Sequence, residues 1–504
     1  MYSLRQKLGA ERTCIRICVA VFLALSLDVQ SSWGQTEASR TPAKPLTIHA
    51  PQEYAALQGK MAADSYAAWL ARAEKGELVA IEVVALANLL GSPGKFDFAI
   101  ARVWLEKGVE QGSALAVLFS AVLSQRDGWN QGPEQATRVA LLPSLDGLLR
   151  PHVTKSGFLA YALGLCSELQ RKYPEAMAQF QAAEKLGCFW ACTEQGALIV
   201  NRRLGEPDRA KAKSLFIRAE EAGCLRAAAY LGGMATRERN PADVMKYLTK
   251  AAEGGYPEAQ YWMARRFYAA RDFPAVQTWM EAAAKQGFVP AMVEQGKNLH
   301  SGIYGKKDPK EAFSWYEKAS QRGTAFGGFY AALALLMGDG VEKNVPRAVD
   351  IIKAQVVAYP YDDAPLRAAG LLLLGDVYAG AYDPTSKDEA KAKEYQELAQ
   401  KDRGVNFAHF HLGQSYGRGW GVTKNVKEAV RWYSRGVEAG DPGCQYKLAR
   451  CYENGWSVPK DAAKAEELYA KAAEKGWVKD GPQAARADVQ PVVPPRPPTE
   501  EMDF

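Results

Sequence analysis

The chain is poor in the features that mark several common functions. Of its 504 residues only five are histidine. His409 and His411 stand two apart, which turns them to nearly opposite sides of a helix, and nothing spaced like a zinc site accompanies them. No long basic run appears and the formal charge of +6 is small for the length, so nucleic acid is not an indicated partner. No Gly-Lys-Ser/Thr follows any of its glycine loops, which excludes a Walker-type phosphate cradle. None of its nine asparagines begins an Asn-x-Ser/Thr acceptor, a mild argument against the endoplasmic reticulum. The apolar run near its start, "ICVAVFLALSL", is too short to span a bilayer comfortably. What remains is 48% apolar and 24% charged, the composition of an ordinary soluble protein.

The opening does stand apart. Arg5, Lys7, Arg12 and Arg16 precede the apolar run, and Ser31, Ser32 and Gly34 supply small residues before Gln35. That order is expected of a secretory signal at residues 1–34, with an uncleaved anchor as the other reading. No cysteine sits at the cleavage position, which argues against a lipoprotein, and removal of the segment leaves a charge of +4. A linker is expected over 35–50. At the far end, "VQPVVPPRPPTEEMDF" places a Pro-rich tail over 480–504, either extended for a partner or simply solvated.

Between these ends the sequence copies itself. "GRGWGVTKNVKEAVRWYSRGVEAG", residues 417–440, returns 36 residues later as "ENGWSVPKDAAKAEELYAKAAEKG". The same glycines, lysine and alanine recur in "MGDGVEKNVPRAV" and in "SGIYGKKDPKEAFSWYEKASQRG". A nucleotide loop occurs once per site, whereas this one is periodic and therefore structural. Closing glycines at 76, 112, 187, 223, 255, 287, 323, 404, 440 and 476 set the ruler, with most gaps 36 or 32 and two of about double length. Within a unit, Asn425 with Glu428, and Asp308 with Pro309 and Glu311, read as helix starts, and the closing glycine reads as a left-handed stop. Stretches such as "GCQYKLARCYENG" carry apolar residues three and four apart. One helical pair cannot cover its own apolar stripe, so neighbours must stack. The expected fold is all-α: an α/α superhelical solenoid of about 11–12 helix-turn-helix repeats of 36 residues.

These units resemble the Sel-one-like repeat, a relative of the tetratricopeptide repeat. The resemblance is carried by Ala259-Gln260, Leu412-Gly413, Tyr416, Gly419, Gly421-Val422, Asn425, Ala429, Trp432-Tyr433 and Gly440. It covers 161–479, while 51–160 keeps only the helical rhythm and is expected to hold divergent repeats. The resemblance implies an interaction scaffold, since members act as adaptors in periplasmic polysaccharide export, exported signalling and quality control in the endoplasmic reticulum. A cysteine-rich bacterial branch is associated with binding β-lactams, each second helix ending in a cysteine bonded to the next first helix. Here the corresponding places hold Ala182-Ala183, Glu220-Glu221 and Val437-Glu438, so that framework is missing.

Six cysteines follow the signal: Cys166, Cys188, Cys192, Cys224, Cys444 and Cys451. Cys444 and Cys451 lie about 10 Å apart along one helix, beyond disulfide reach. Buried thiols are expected, with a bridge involving Cys188 or Cys192 as the alternative. "SPGK" at Ser92–Lys95 satisfies Ser-x-x-Lys but lacks its companion motifs. Trp279 and the pairs Trp315-Tyr316 and Trp432-Tyr433 read as core.

In tetratricopeptide-like arrays the first helices line the concave side. One row there would be Arg265, Lys297, Leu333, Gln414 and Arg450; the other would be Tyr261, Val293, Phe329, Phe410 and Tyr446. Basic and aromatic rows side by side suit an extended peptide with acidic groups, unless the second row packs between helices. The function read from the sequence is an exported scaffold that binds a protein or peptide without catalysis or cofactor. It would work in a bacterial periplasm or outside the cell, or in the endoplasmic reticulum of a eukaryote. No transmembrane segment is expected once the signal is removed. Weak β-lactam binding or hydrolysis is the alternative activity.

Overall fold

A computed structural model describes residues 45–48, 54, 63–91, 96–126, 138–357, 364–402 and 404–477. The signal at 1–34, most of the linker, Ser92–Lys95 and the Pro-rich tail lie outside them. Among the described residues there is no strand, and only an isolated bridge joins Thr47 to Ser113. The chain is an all-α repeat solenoid. Among the described residues the helix Ala63–Glu74 is followed by eleven pairs in order, from Leu78–Leu90 with Phe98–Glu110 to Pro442–Asn454 with Ala462–Glu474. The two double-length gaps each hold two pairs. One of these is irregular, its second helix Val345–Ile351 widening into a π segment at Ile352–Val357.

Local chemistry accounts for the helix ends. Asn425 Oδ1 accepts from Glu428 N at 3.1 Å and Asp308 Oδ1 accepts from Glu311 N at 3.0 Å. Asp97, Asp208, Asp272, Asp388 and Asp461 cap other second helices in the same way. At the far end of second helices, Gly187, Gly223, Gly255 and Gly287 take φ of 85°, 91°, 83° and 89°. The next amide then reaches five residues back: Cys188 N to Ala183 O at 3.0 Å, Tyr256 N to Ala251 O at 2.9 Å.

Gly404 departs from the ruler. Its φ is −87°, and it begins the helix Val405–Arg418 instead of closing Glu389–Lys401. Asp402 ends that earlier helix in an extended conformation. Its carboxylate takes both Arg367 Nε at 2.7 Å and Gly404 N at 2.8 Å, which makes a left-handed glycine unnecessary. Conversely, where the loop inside a unit has shrunk, Arg171, Arg239 and Arg271 adopt positive φ between 55° and 60°; Arg202 does so too, at 54°, in a loop of full length.

Packing runs along the array and also across it. Trp432 and Tyr316 are fully buried, Tyr433 and Trp315 nearly so, and Trp279 is half-buried. A buried large apolar side chain at each seam contributes about 1.5–3 kcal/mol. Units distant in sequence also touch. Phe96 N donates to Gly254 O at 2.7 Å, and the rings of Phe96 and Phe98 meet Tyr256 at 5.1 and 6.3 Å. Gln286 straps this contact, donating to Gly255 O at 2.6 Å and accepting from Phe98 N at 3.3 Å.

Candidate partner-binding face

The first helices position both rows read from the sequence. In the aromatic row, Tyr261, Val293, Phe329, Phe410 and Tyr446 are all buried. Tyr261 packs on Phe288 at 5.5 Å, Phe410 on Trp477 at 5.6 Å, and Tyr446 on Tyr469 at 5.5 Å. These side chains therefore stand beneath the surface. In the basic row Lys297, Leu333 and Gln414 are also buried, while Arg265 and Arg450 are half-buried. Both guanidiniums lie over rings: Arg265 over Trp262 at 5.1 Å and Arg450 over Trp456 at 5.5 Å.

Lys297 is buried by its own chain. The loop after the helix Val405–Arg418 lays Trp420 against it, with the ammonium 4.4 Å from the ring centroid. Gly421 N donates to Tyr316 Oη at 3.2 Å, across 105 residues of sequence. Thr423 N donates to Asp339, which also meets His300 Nε2 at 3.1 Å. A side chain at 421 would collide with Tyr330, 2.9 Å from the nearest ring carbon. The periodic loop thus has a second use here, since it covers the inner side of units much earlier in the chain.

Two cations, Lys297 and Arg418, face Trp420 at that cover. Lys297 Nζ bonds Glu294 at 2.8 Å, and Arg418 lies over Trp420 at 5.1 Å. Burial pushes the Lys297 amine below its ordinary value; Glu294 opposes this, while Arg418 and Arg265 add to it. Arg265 and Arg418 keep part of their surface in solvent, so the cluster opens outward.

A second charged group lies deeper, in earlier units, and the sequence reading missed it. Glu194, 3% exposed, accepts from Tyr161 Oη at 3.1 Å and pairs with Arg226, whose Nη2 reaches Tyr230 Oη at 3.3 Å. The available signal was register: Glu194 stands seven residues after Gly187, and Arg226 three after Gly223, one helical turn apart on successive first helices.

The remaining candidates are structural. His409 and His411 are buried, and burial holds both rings down to about 4, hence neutral. All six described cysteines are free and buried. Burial pushes the thiols of Cys166, Cys192 and Cys451 up to about 11 and that of Cys188 to about 12, which makes them poor nucleophiles. Among the described residues no cluster of His, Cys, Asp and Glu is arranged to hold a metal ion, and no helix is long and apolar enough to cross a membrane.

Seven stretches match the Sel1 repeat: residues 84–113, 181–224, 225–256, 290–324, 329–350, 406–441 and 442–477. The first lies in the region where the sequence kept only helical rhythm. The Sel1-repeat-containing protein YjcO of Escherichia coli K12 is 25% identical over 199 residues, 39% of this chain and 85% of that protein. DAP3-binding cell death enhancer 1 of Rattus norvegicus is 28% identical over 183 residues, 30% of this chain and 34% of that protein. Among solved structures, a protective antigen of uropathogenic Escherichia coli displaying an SLR fold aligns at a TM-score of 0.42. It is 24% identical, over 81% of this chain and 86% of that one. A Sel1 repeat protein of Oxalobacter formigenes aligns at 0.35 with 24% identity, over 62% of this chain and 88% of that one.

Proposed function

Because the chain belongs to the Sel1-repeat family, whose members are generally protein-interaction scaffolds, we propose that it is an exported adaptor that holds an acidic segment of a partner protein on its first-helix face. The observation that carries this reading is the pairing of half-exposed arginines with aromatic rings, Arg265 on Trp262 and Arg450 on Trp456. A guanidinium held flat on a ring is already ordered, so it loses little freedom on binding a carboxylate. The buried row of Tyr261, Val293, Phe329, Phe410 and Tyr446 supports this face from below, and Lys297 and Gln414 stiffen it. The solenoid occupies 51–479 in this reading, following the signal and linker, and it performs no catalysis. The basic opening and apolar run support export.

Quantitative mass spectrometry of proteins captured from crosslinked cells tests the proposal. Arg265→Glu with Arg450→Glu is expected to lose a defined partner that the native chain retains, with helical circular dichroism and melting unchanged. Equal recovery of every partner by the two chains would overturn it.

A further inference from the structure

We infer that the turns inside four consecutive units form a strip that docks the chain on an anionic lipid surface, with Arg171, Arg202, Arg239 and Arg271 as its phosphate contacts. The strip is distinct from the first-helix face and does not depend on the partner read for that face.

Backbone strain marks the positions. Among the described residues five that are not glycine hold a positive φ, and four of them are these arginines, at 60°, 54°, 55° and 60°. Each stands just past the end of a first helix: Gly157–Leu169, Trp190–Val200, Leu225–Arg237 and Pro257–Ala269. Other units fill that left-handed stop with Gly302, Gly338, Gly419 and Gly455, which adopt it without a Cβ penalty. Four units in succession thus keep a strained arginine where the backbone favours glycine, so the reason for the residue lies in its side chain.

The side chains supply the charge. All four arginines are exposed, and among the described residues none of their guanidiniums makes an ion pair or hydrogen bond. Most carboxylates of these turns are engaged elsewhere. Asp208 and Asp272 accept from Lys211 N at 2.9 Å and Ala275 N at 3.2 Å, and Glu238 pairs with Lys213 at 2.8 Å. Glu206 is the exception and stays exposed. A guanidinium forks onto phosphate oxygens, so one such donor set per unit suits a surface that repeats phosphates.

Apolar tips decide between a lipid surface and a soluble polyanion. Two residues after Arg202 and Arg271 stand Leu204, 42% exposed, and Phe273, 38% exposed. The same offset from Arg171 holds Tyr173, which is half-buried. Arg203 of the second turn lies over the Tyr173 ring of the first at 5.3 Å, so these turns share an edge. Phe273 stacks at 5.3 Å on Tyr304 of the following turn, where Ile303 is 52% exposed. A polyanion in water offers Leu204, Phe273 and Ile303 nothing to enter. The headgroup layer of a bilayer takes both the guanidiniums and the apolar tips.

The test sediments the full chain with vesicles of phosphatidylglycerol and with vesicles of phosphatidylcholine. Partition to phosphatidylglycerol is expected to be the stronger by about tenfold or more, and to fall as salt is added. Replacing all four arginines by glycine should cut it about tenfold or more with the melting temperature unchanged or raised, and replacing them by lysine should keep most of it. Phosphatidylglycerol bearing a photoactivated diazirine headgroup separates this contact from one made by the apolar opening of the chain. Adducts are expected on the peptides that hold Leu204 and Phe273. Equal partition into the two kinds of vesicle, equal partition of the native chain and the glycine variant, or adducts confined to residues 1–34 would each overturn the inference. So would binding to soluble polyphosphate that the vesicles do not compete away, which would make the strip a polymer site.

Discussion

Gly413 lies so close under the ring of Tyr433 that a Cβ at 413 would stand 2.3 Å from the ring's Cε1. The same fit joins Gly164 to Phe180, Gly196 to Phe216 and Gly296 to Tyr316, at 2.4, 2.6 and 2.4 Å. In each of these four units the first helix gives up a side chain so that the second can lay an aromatic ring across it. Gly413→Ala adds helix propensity worth up to about 1 kcal/mol, yet it forces the ring from its seat, which costs about 1–3 kcal/mol. The expected outcome is a lower melting temperature, partly recovered when Tyr433→Leu is added. A melting temperature that rises would show that the ring moves aside freely.

Phe410 and Tyr446 share Trp477, at 5.6 and 6.3 Å. Truncating a buried aromatic residue to alanine costs about 3–5 kcal/mol, and truncations around one common ring are not additive. The double variant Phe410→Ala, Tyr446→Ala should lose helical circular dichroism early, starting from the last units. Unchanged melting with lost partner capture would instead make these rings binding residues.

Arg239 and Arg271 are exposed and hold φ of 55° and 60°. An L-residue pays about 1–2 kcal/mol there, whereas glycine adopts the conformation freely at some cost in unfolded-state entropy. Arg239→Gly and Arg271→Gly are expected to stabilise the chain by about 0.5–1 kcal/mol each, read as a rise in urea midpoint. A fall would mean that these side chains make contacts stronger than the strain they impose.

Burial raises the Glu82 carboxyl to about 7, against opposing hydrogen bonds from Ser113 and from Tyr54 Oη, the latter at 2.8 Å. Its folded-state pKa lies above the unfolded value of 4.5, so the fold favours the protonated form. That contribution is fully present below pH 4.5 and is lost as pH rises to about 7. Glu82→Gln should flatten this part of the melting profile and raise the melting temperature most at pH 8. A profile with the same slope in the variant would assign the pH dependence to other groups.

Much of this was legible along the chain because it is made locally. Asp308 and Asn425 cap helices that begin one residue later, and Gly187 and Gly223 stop helices that end just before them. Such signals need only a few neighbours in sequence, so the pattern of copies revealed them. Gly404 shows the limit: it kept the spacing and lost the role, because Asp402 and Arg367, 35 residues apart, closed that helix by an ion pair.

The candidate face was legible only in part. Counting from each closing glycine identified the residues on first helices, but not their depth. Tyr261 and Arg265 stand one turn apart on one helix, and only Arg265 keeps access to solvent. Depth depends on what the neighbouring unit and the returning chain place over each residue. The Glu194–Arg226 pair and the cover of Trp420 on Lys297 come from that geometry.

By itself, then, the sequence determined the all-helical repeat, its period, its caps and its family, because hairpin modules are specified by propensities and apolar spacing within about 36 residues. Tertiary structure alone decided which repeats meet again, as Phe96 meets Gly254 and Gly421 meets Tyr316. Those meetings follow from small rotations between successive units, set by side-chain volume at every seam and summed over several repeats. A single period does not contain that sum, and it is what leaves Arg265, Arg418 and Arg450 at the surface while burying Lys297.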